Sequence, residues 1–199
     1  MVKNFLFKDR DGQTPLPPEL QKGLKPNHIQ TIGELDEYEE QNIVEGLSWL
    51  KNYEGECSSY DFWLKLHKKL FGDVWKWAGV VRKHELNNPD FHLPHQIWPS
   101  LKRLENDINY WLKEKSFSHN EIAARFHERI EAIHPFTNGN GRFGRILVEF
   151  FCEKKSILIP TWGAFLKSDP EARRQAYITA LECARRKTDY SLLIKFMFS

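Results

Sequence analysis

With 199 residues, a hydrophobic share of 41% and an aromatic share of 14% that includes seven Trp, the chain has the material for one folded domain with a sizeable core. A net charge of +2 and an isoelectric point near 8.4 exclude a binder that works through overall positive charge, so no direct nucleic-acid contact is expected and any basic character must be local. Cys57, Cys152 and Cys183 are widely spaced and form neither a metal pattern nor a disulfide framework, and no stretch is apolar enough to serve as a signal peptide or to span a bilayer, so a cytoplasmic location without membrane contact is expected.

Residues 1–30 carry Pro15, Pro17, Pro18 and Pro26 with Gly12 and Gly23, and read as an irregular lead-in from which Leu16, Leu20 and Leu24 can pack. Thr31-Ile-Gly-Glu34 is a capping box that opens a helix running to about Tyr53, with Leu35, Tyr38, Ile43, Leu47 and Leu50 as its apolar stripe. Its acidic first turns (Glu34, Asp36, Glu37, Glu39, Glu40) read as a solvated face at a helix N-terminus. Ser58 or Ser59 caps a second helix with Phe62, Leu66 and Leu70 inside, and Gly72 ends it. Trp75 and Trp77 read as core anchors. The stretch Arg82–Pro94 alternates weakly around Asn87-Asn88-Pro89, which predicts a short β-hairpin.

Helix three is expected from about Gln96 to Lys115, with Leu101, Leu104, Ile108, Trp111 and Leu112 facing inward. A capping box at Ser118 opens helix four, which runs to Ile133; helix five runs from about Gly139 or Asn140 to Lys155. Ser168-Asp-Pro-Glu171 gives a further capping box, followed by helix six with Ala176, Tyr177, Ala180, Leu181 and Ala184. A last helix covers about Asp189 to Phe198, so the chain reads as mostly α with one hairpin.

Between helices four and five lies His134-Pro-Phe-Thr-Asn-Gly-Asn-Gly-Arg-Phe-Gly-Arg145. Gly139 and Gly141 on either side of Asn140 let the backbone take conformations that other residues resist. Successive amides can then form an anion nest, and the positive end of the following helix adds to it. Arg142 and Arg145 lie three apart on that helix, and two guanidinium forks suit the oxygens of a di- or triphosphate. His134 precedes the nest and can take a proton from a hydroxyl near neutral pH, and Phe136 would pin the loop. Taken singly, a histidine is more often structural, a glycine pair a turn, and such arginines a salt-bridged helix face. Together they favour phosphate-dependent transfer.

The pattern His134-Pro135-Phe136-x-Asn138-Gly139-Asn140-Gly141-Arg142-x-x-Arg145 resembles the signature of Fic (Fido) domains, and Leu66–Arg82 resembles the segment that precedes their flap. The resemblance implies a mostly α, Fic-type helical core with a short β-hairpin flap. It divides the chain into an N-terminal extension, residues 1–57, and a Fic domain, residues 58–195. The extension and Asn138 look most like the bacterial "mobile mystery protein B" group. The activity implied is protein adenylylation, with ATP as co-substrate and Mg2+ (or Mn2+) beside it. His134 would be the base, Gly139, Asn140 and Gly141 the phosphate nest, and Arg142 and Arg145 the holders of the outer phosphates. The target protein would dock on the Arg82–Pro94 flap.

Asn138 departs from the family's usual Asp or Glu at the metal position, and an amide lacks the charge that a hard cation prefers. Three readings stay open: weak metal binding, another nucleotide or reaction, or a slowed or silenced enzyme. Gln41-Asn-Ile-Val-Glu45-Gly46 resembles the family's inhibitory helix, which places a brake at Glu45 within about residues 31–53; a solvent-facing Glu45 fits the residues equally well. The alternatives are a Doc-like phosphotransferase, whose loop usually carries Lys where this chain has Gly141, and a weakly catalytic nucleotide-binding module. The latter would work with a DNA-binding or antitoxin-like regulator.

Overall fold

The computed structural model describes residues 16–17 and 21–199. The elements are α1 (Ile32–Lys51), α2 (Tyr60–Phe71), α3 (Pro94–Glu114), α4 (His119–Ile133), α5 (Asn140–Lys154), a 3-10 turn (Ala164–Leu166), α6 (Pro170–Lys187) and α7 (Ser191–Phe198). The chain is mostly α, as expected. No strand occurs among the described residues, where extended pairing is limited to isolated bridges such as Leu24 with Trp75. No described helix is long and apolar enough to cross a membrane. The lead-in is described from Gln21 on and at Leu16 and Pro17, so Pro15, Pro18 and Leu20 lie outside the described residues.

The chain folds as two compact units. The first gathers the described residues up to Lys83 with Pro135–Phe143. Thr31 forms its capping box as the sequence predicts, with its hydroxyl accepting from Glu34 N–H and the Glu34 carboxylate accepting from Thr31 N–H. Ser59, rather than Ser58, caps α2 by accepting from Phe62 N–H. The two helices pack along each other and bury Leu35, Ile43, Leu66, Leu70 and Phe71. Asn42 ties them, donating to Lys69 C=O and Asp73 and accepting from Asp73 N–H. Trp75 is the anchor expected of it, while Trp77 stacks on it from a half-buried position.

The second unit is His84–His134 with Gly144–Ser199. α3 lies beside α4, and α6 and α7 pack on α4 as well. Leu101, Leu104 and Ile108 of α3 and Ile122, Phe126, Ile130 and Ile133 of α4 are core. α3 begins at Pro94, two residues before the expected Gln96, because a proline at the first helical position brings its fixed φ and gives up only an N–H that the helix cannot use. α6 is capped by Asp169 rather than Ser168, its carboxylate accepting from Ala172 N–H at 2.9 Å.

The hairpin expected over Arg82–Pro94 is replaced by irregular chain. Asn88 makes a local turn: its side chain accepts from Asp90 N–H at 2.9 Å and its carbonyl from Phe91 N–H at 3.2 Å. Pro89 has no N–H to give, and His92 N–H donates to Ala132 C=O on α4 at 3.1 Å. With those donors engaged locally or by α4, this half of the segment has none to offer a cross-strand ladder.

Candidate active site

Pro135–Phe143, the middle of the motif, belongs to the first unit. Asn140, at the start of α5, closes the loop on itself: Oδ1 accepts from Phe136 N–H at 2.9 Å and Nδ2 donates to Phe136 C=O at 2.8 Å. Its side chain is therefore a staple, and what Asn140 can offer an anion is its backbone N–H. The amides of Asn140, Gly141 and Arg142 belong to the first helical turn, which has no carbonyls ahead of it. Gly139 is left-handed, with φ +77°, and a Cβ there would lie 2.9 Å from the Phe71 ring. Asn138 is exposed, and its side-chain oxygen accepts from Gly139 N–H at 2.7 Å.

His67 supports this loop from α2. Gly79 N–H donates to its Nδ1 at 2.9 Å, so the proton sits on Nε2, which donates to Asn138 C=O at 3.1 Å. The ring stacks on Phe136 at 3.6 Å between centroids and meets Phe143 edge-on. Burial, with Arg142 adding to it, pushes the imidazole down to about 3, so it stays neutral at physiological pH.

Arg142 does not face open solvent. It donates to Glu39 Oε2 at 2.5 Å and lies over the Phe71 ring at 4.8 Å. Glu39 Oε1 accepts from the Trp75 indole N–H at 2.6 Å, and the Glu39 side chain is 7% exposed. The solvated reading of the acidic run thus fails at Glu39. Its spacing of four from both Leu35 and Ile43 puts it on their inward face, while Tyr38, which the stripe included, is 38% exposed. Glu45 is exposed and accepts from the Gln41 side chain at 3.3 Å.

His134 and Arg145 belong to the second unit. His134 ends α4 in the left-handed region, φ 47° and ψ 60°, and its ring stacks on Phe91 at 3.7 Å. Nδ1 lies 3.1 Å from Glu131 C=O. A carbonyl only accepts, so Nδ1 carries the proton of the neutral ring and Nε2 is its acceptor nitrogen, the tautomer a general base needs. Arg145 is buried, and its guanidinium hydrogen-bonds Tyr177. Tyr177 also meets His127 Nε2 at 2.8 Å, and His127 is held down at about 3 by burial and then by Arg145.

A divalent cation finds little here of its own. The loop offers no carboxylate, its two side-chain amide oxygens accept from Gly139 and Phe136 N–H, and no cluster of acidic, histidine or cysteine side chains fit to hold a metal occurs among the described residues. The residues do not fit a protein-held metal. A separate cavity of about 390 Å³ in the second unit is lined by Arg103, Arg125, Arg129 and Arg185. Glu121, Asp107 and Glu128 already pair with the last three, which marks it as an internal ion-pair network.

Sequence reasoning found the contiguous motif and missed Glu39, His67, His127 and Glu131. The signals for three of them were fourfold spacings, Leu35–Glu39–Ile43 on α1 and His127–Glu131 on α4. His67 carried none, because its partner is 71 residues away.

Amides at a helix start and guanidinium forks are groups that suit an anion. Residues 58–152 match the Fic/DOC family. The protein adenylyltransferase VbhT of Bartonella schoenbuchensis is 27% identical over 122 residues, covering 56% of this chain and 26% of that protein. The probable protein adenylyltransferase aq_aa38 of Aquifex aeolicus is 31% identical over 102 residues, covering 49% of this chain and 31% of that one. Among solved structures, BepC of Bartonella tribocorum, a VirB-translocated effector with bound AMPPNP, shares the fold at a TM-score of 0.63 and 21% identity, covering 98% of this chain and 94% of that one. The chain spans only 26% and 31% of the length of the two adenylyltransferases.

Proposed function

We propose that this chain is a protein adenylyltransferase, moving AMP from ATP to a Ser, Thr or Tyr hydroxyl of a target protein. The observation that carries the reading is the His134 tautomer, fixed by Glu131 C=O with Nε2 as the acceptor. Nε2 takes the hydroxyl proton, the oxygen attacks the α-phosphorus, the α–β bridging bond breaks, and pyrophosphate leaves. The nest of Gly139, Asn140 and Gly141 and the forks of Arg142 and Arg145 hold the outer phosphates and offset their charge. Relatives called adenylyltransferases support this reading, as does an AMPPNP-bound neighbour of the same fold.

Mg2+ or Mn2+ would arrive with the nucleotide, held by phosphates and water rather than by the chain. The target would lie along Arg82–Pro94, and residues 1–57 would act as an extension to the catalytic domain of residues 58–195. A DNA-binding or antitoxin-like protein is the regulator that fits. The resting chain is restrained, because a carboxylate on Arg142 stands where a phosphate oxygen would bind; Glu39 makes that contact, and Glu45 is the rival position.

ATP labelled at the α- or the γ-phosphate, incubated with the protein and a cell lysate, tests the reading. Label transferred from the α-position alone, and lost in His134→Ala, is expected. Transfer from the γ-position would make the chain a phosphotransferase, and binding without transfer would make it a nucleotide-sensing module.

A further inference from the structure

Glu131 is a carboxylate in an unusual place. It sits on α4 at 6% exposure, and its Oε1 has no hydrogen-bond partner among the described residues. A buried carboxyl with an orphaned oxygen costs stability unless something near it makes use of the charge. Three charged groups face it: Arg145 from α5, Arg185 from α6 and Glu128 from its own helix, with the Tyr177 phenol of α6 close by. Burial raises its carboxyl to about 7, with both arginines working against that rise.

The seat of this carboxyl is Gly144, the residue before Arg145. A Cβ at position 144 would lie 2.4 Å from Glu131 Oε1, closer than any real contact allows. The missing side chain is therefore the space the carboxyl fills, one residue from the second arginine of the motif. The Tyr177 hydroxyl bonds that arginine and is itself held by His127 Nε2 at 2.8 Å. Arg145 thus acts electrostatically on a carboxyl that can carry charge and on a phenol that burial keeps protonated.

We propose that Glu131 is a positioning residue for Arg145: its carboxyl, seated in the space Gly144 leaves open, fixes the guanidinium and sets how much of its charge a phosphate meets. The inference rests on the reading of Arg145 as a nucleotide-phosphate ligand. When the carboxyl is neutral, Arg145 meets the phosphate with its full charge. When it ionises, part of that charge is neutralised and phosphate is held less tightly.

The test is calorimetric binding of a non-hydrolysable ATP analogue to the full chain and to Glu131→Gln, Glu131→Ala, Gly144→Ala and Arg145→Ala. Glu131→Gln keeps shape and loses charge, so its affinity should equal that of the unmodified chain near about pH 6 and exceed it by about threefold to tenfold near about pH 8. Taking the ratio of the two proteins cancels the titration of the nucleotide itself. Glu131→Ala and Gly144→Ala, which empty or block the seat, should each weaken binding by about tenfold at both pH values, and Glu131→Gln should not. A ratio that stays constant with pH, or a Glu131→Ala chain that binds like the original, overturns the proposal. If Arg145→Ala abolishes binding while the Glu131 variants change nothing, the inference fails and the role of Arg145 stands. If Arg145→Ala binds normally, both fail.

Discussion

Glu39 of α1 holds Arg142 of the motif at 2.5 Å while the Trp75 indole holds the other oxygen of the same carboxylate at 2.6 Å. A phosphate that uses Arg142 must therefore displace a carboxylate already anchored from behind. Glu39→Gln keeps an acceptor for Trp75 and removes the competing charge, so nucleotide affinity should rise by about threefold to tenfold. Glu45→Gln, measured beside it, decides between the two carboxylates. Glu45 contacts Gln41 on an exposed face, and its variant should leave affinity unchanged. A rise with Glu45→Gln and none with Glu39→Gln would return the brake to Glu45.

Asn138→Asp should convert a loop without a carboxylate into one that can hold a hard cation. Transfer should then rise by about tenfold or more and should depend steeply on added Mg2+, read as auto-modification with and without chelator. Equal activity and equal metal dependence in the two proteins would show that the amide already does what the acid does.

Gly139→Ala meets two penalties at once, a left-handed backbone and the Phe71 ring at 2.9 Å from the new Cβ. A stability loss of about 2–4 kcal/mol in urea unfolding is expected, with loss of nucleotide binding. A loss below about 0.5 kcal/mol would mean that the loop can relax around the methyl group.

The pH dependence of stability has two opposing parts. His67 and His127 are held at about 3 in the fold against an ordinary 6.5, so the unfolded chain gains protons first as pH falls. Their contribution is complete above about 6.5 and is lost on acidification toward about 3. Glu131 runs the other way. Raised to about 7 from 4.5, it favours the fold below 4.5 and loses that contribution as pH rises through 7. Thermal unfolding should therefore weaken on both sides, and Glu131→Gln should remove the alkaline fall while leaving the acid one. A variant that melts in parallel with the original from about pH 5 to about pH 8 would contradict this.

What the sequence made legible was local. The capping box at Thr31 and the caps at Ser59 and Ser118 were readable because each is complete within four residues. The motif was readable because its chemistry is contiguous from His134 to Arg145. The hairpin misled, because turn residues look alike whether their N–H groups go to a partner strand or, like that of His92, to a helix carbonyl. Glu39 was hidden in a run of acids, where its inward phase was masked by Asp36, Glu37 and Glu40 around it. The inhibitory pattern around Glu45 was incomplete, with Gln41 in place of Ser or Thr, and the helix leaves that carboxylate exposed. His67 reaches Asn138 across 71 residues, and no window along the chain contains both.

Asn140 gives the loop a property that bears on how such a site changes over time. One side chain closes the turn by gripping both backbone groups of Phe136, while the Asn138 side chain adds an acceptor for Gly139 N–H that a carboxylate would also supply. The side chain at position 138 is exposed and takes no part in that clasp, which makes it a place where acid and amide can be exchanged without rebuilding the backbone. If the proposed transfer is the chain's activity, a lineage could tune it at 138 in a single step and keep the loop's shape.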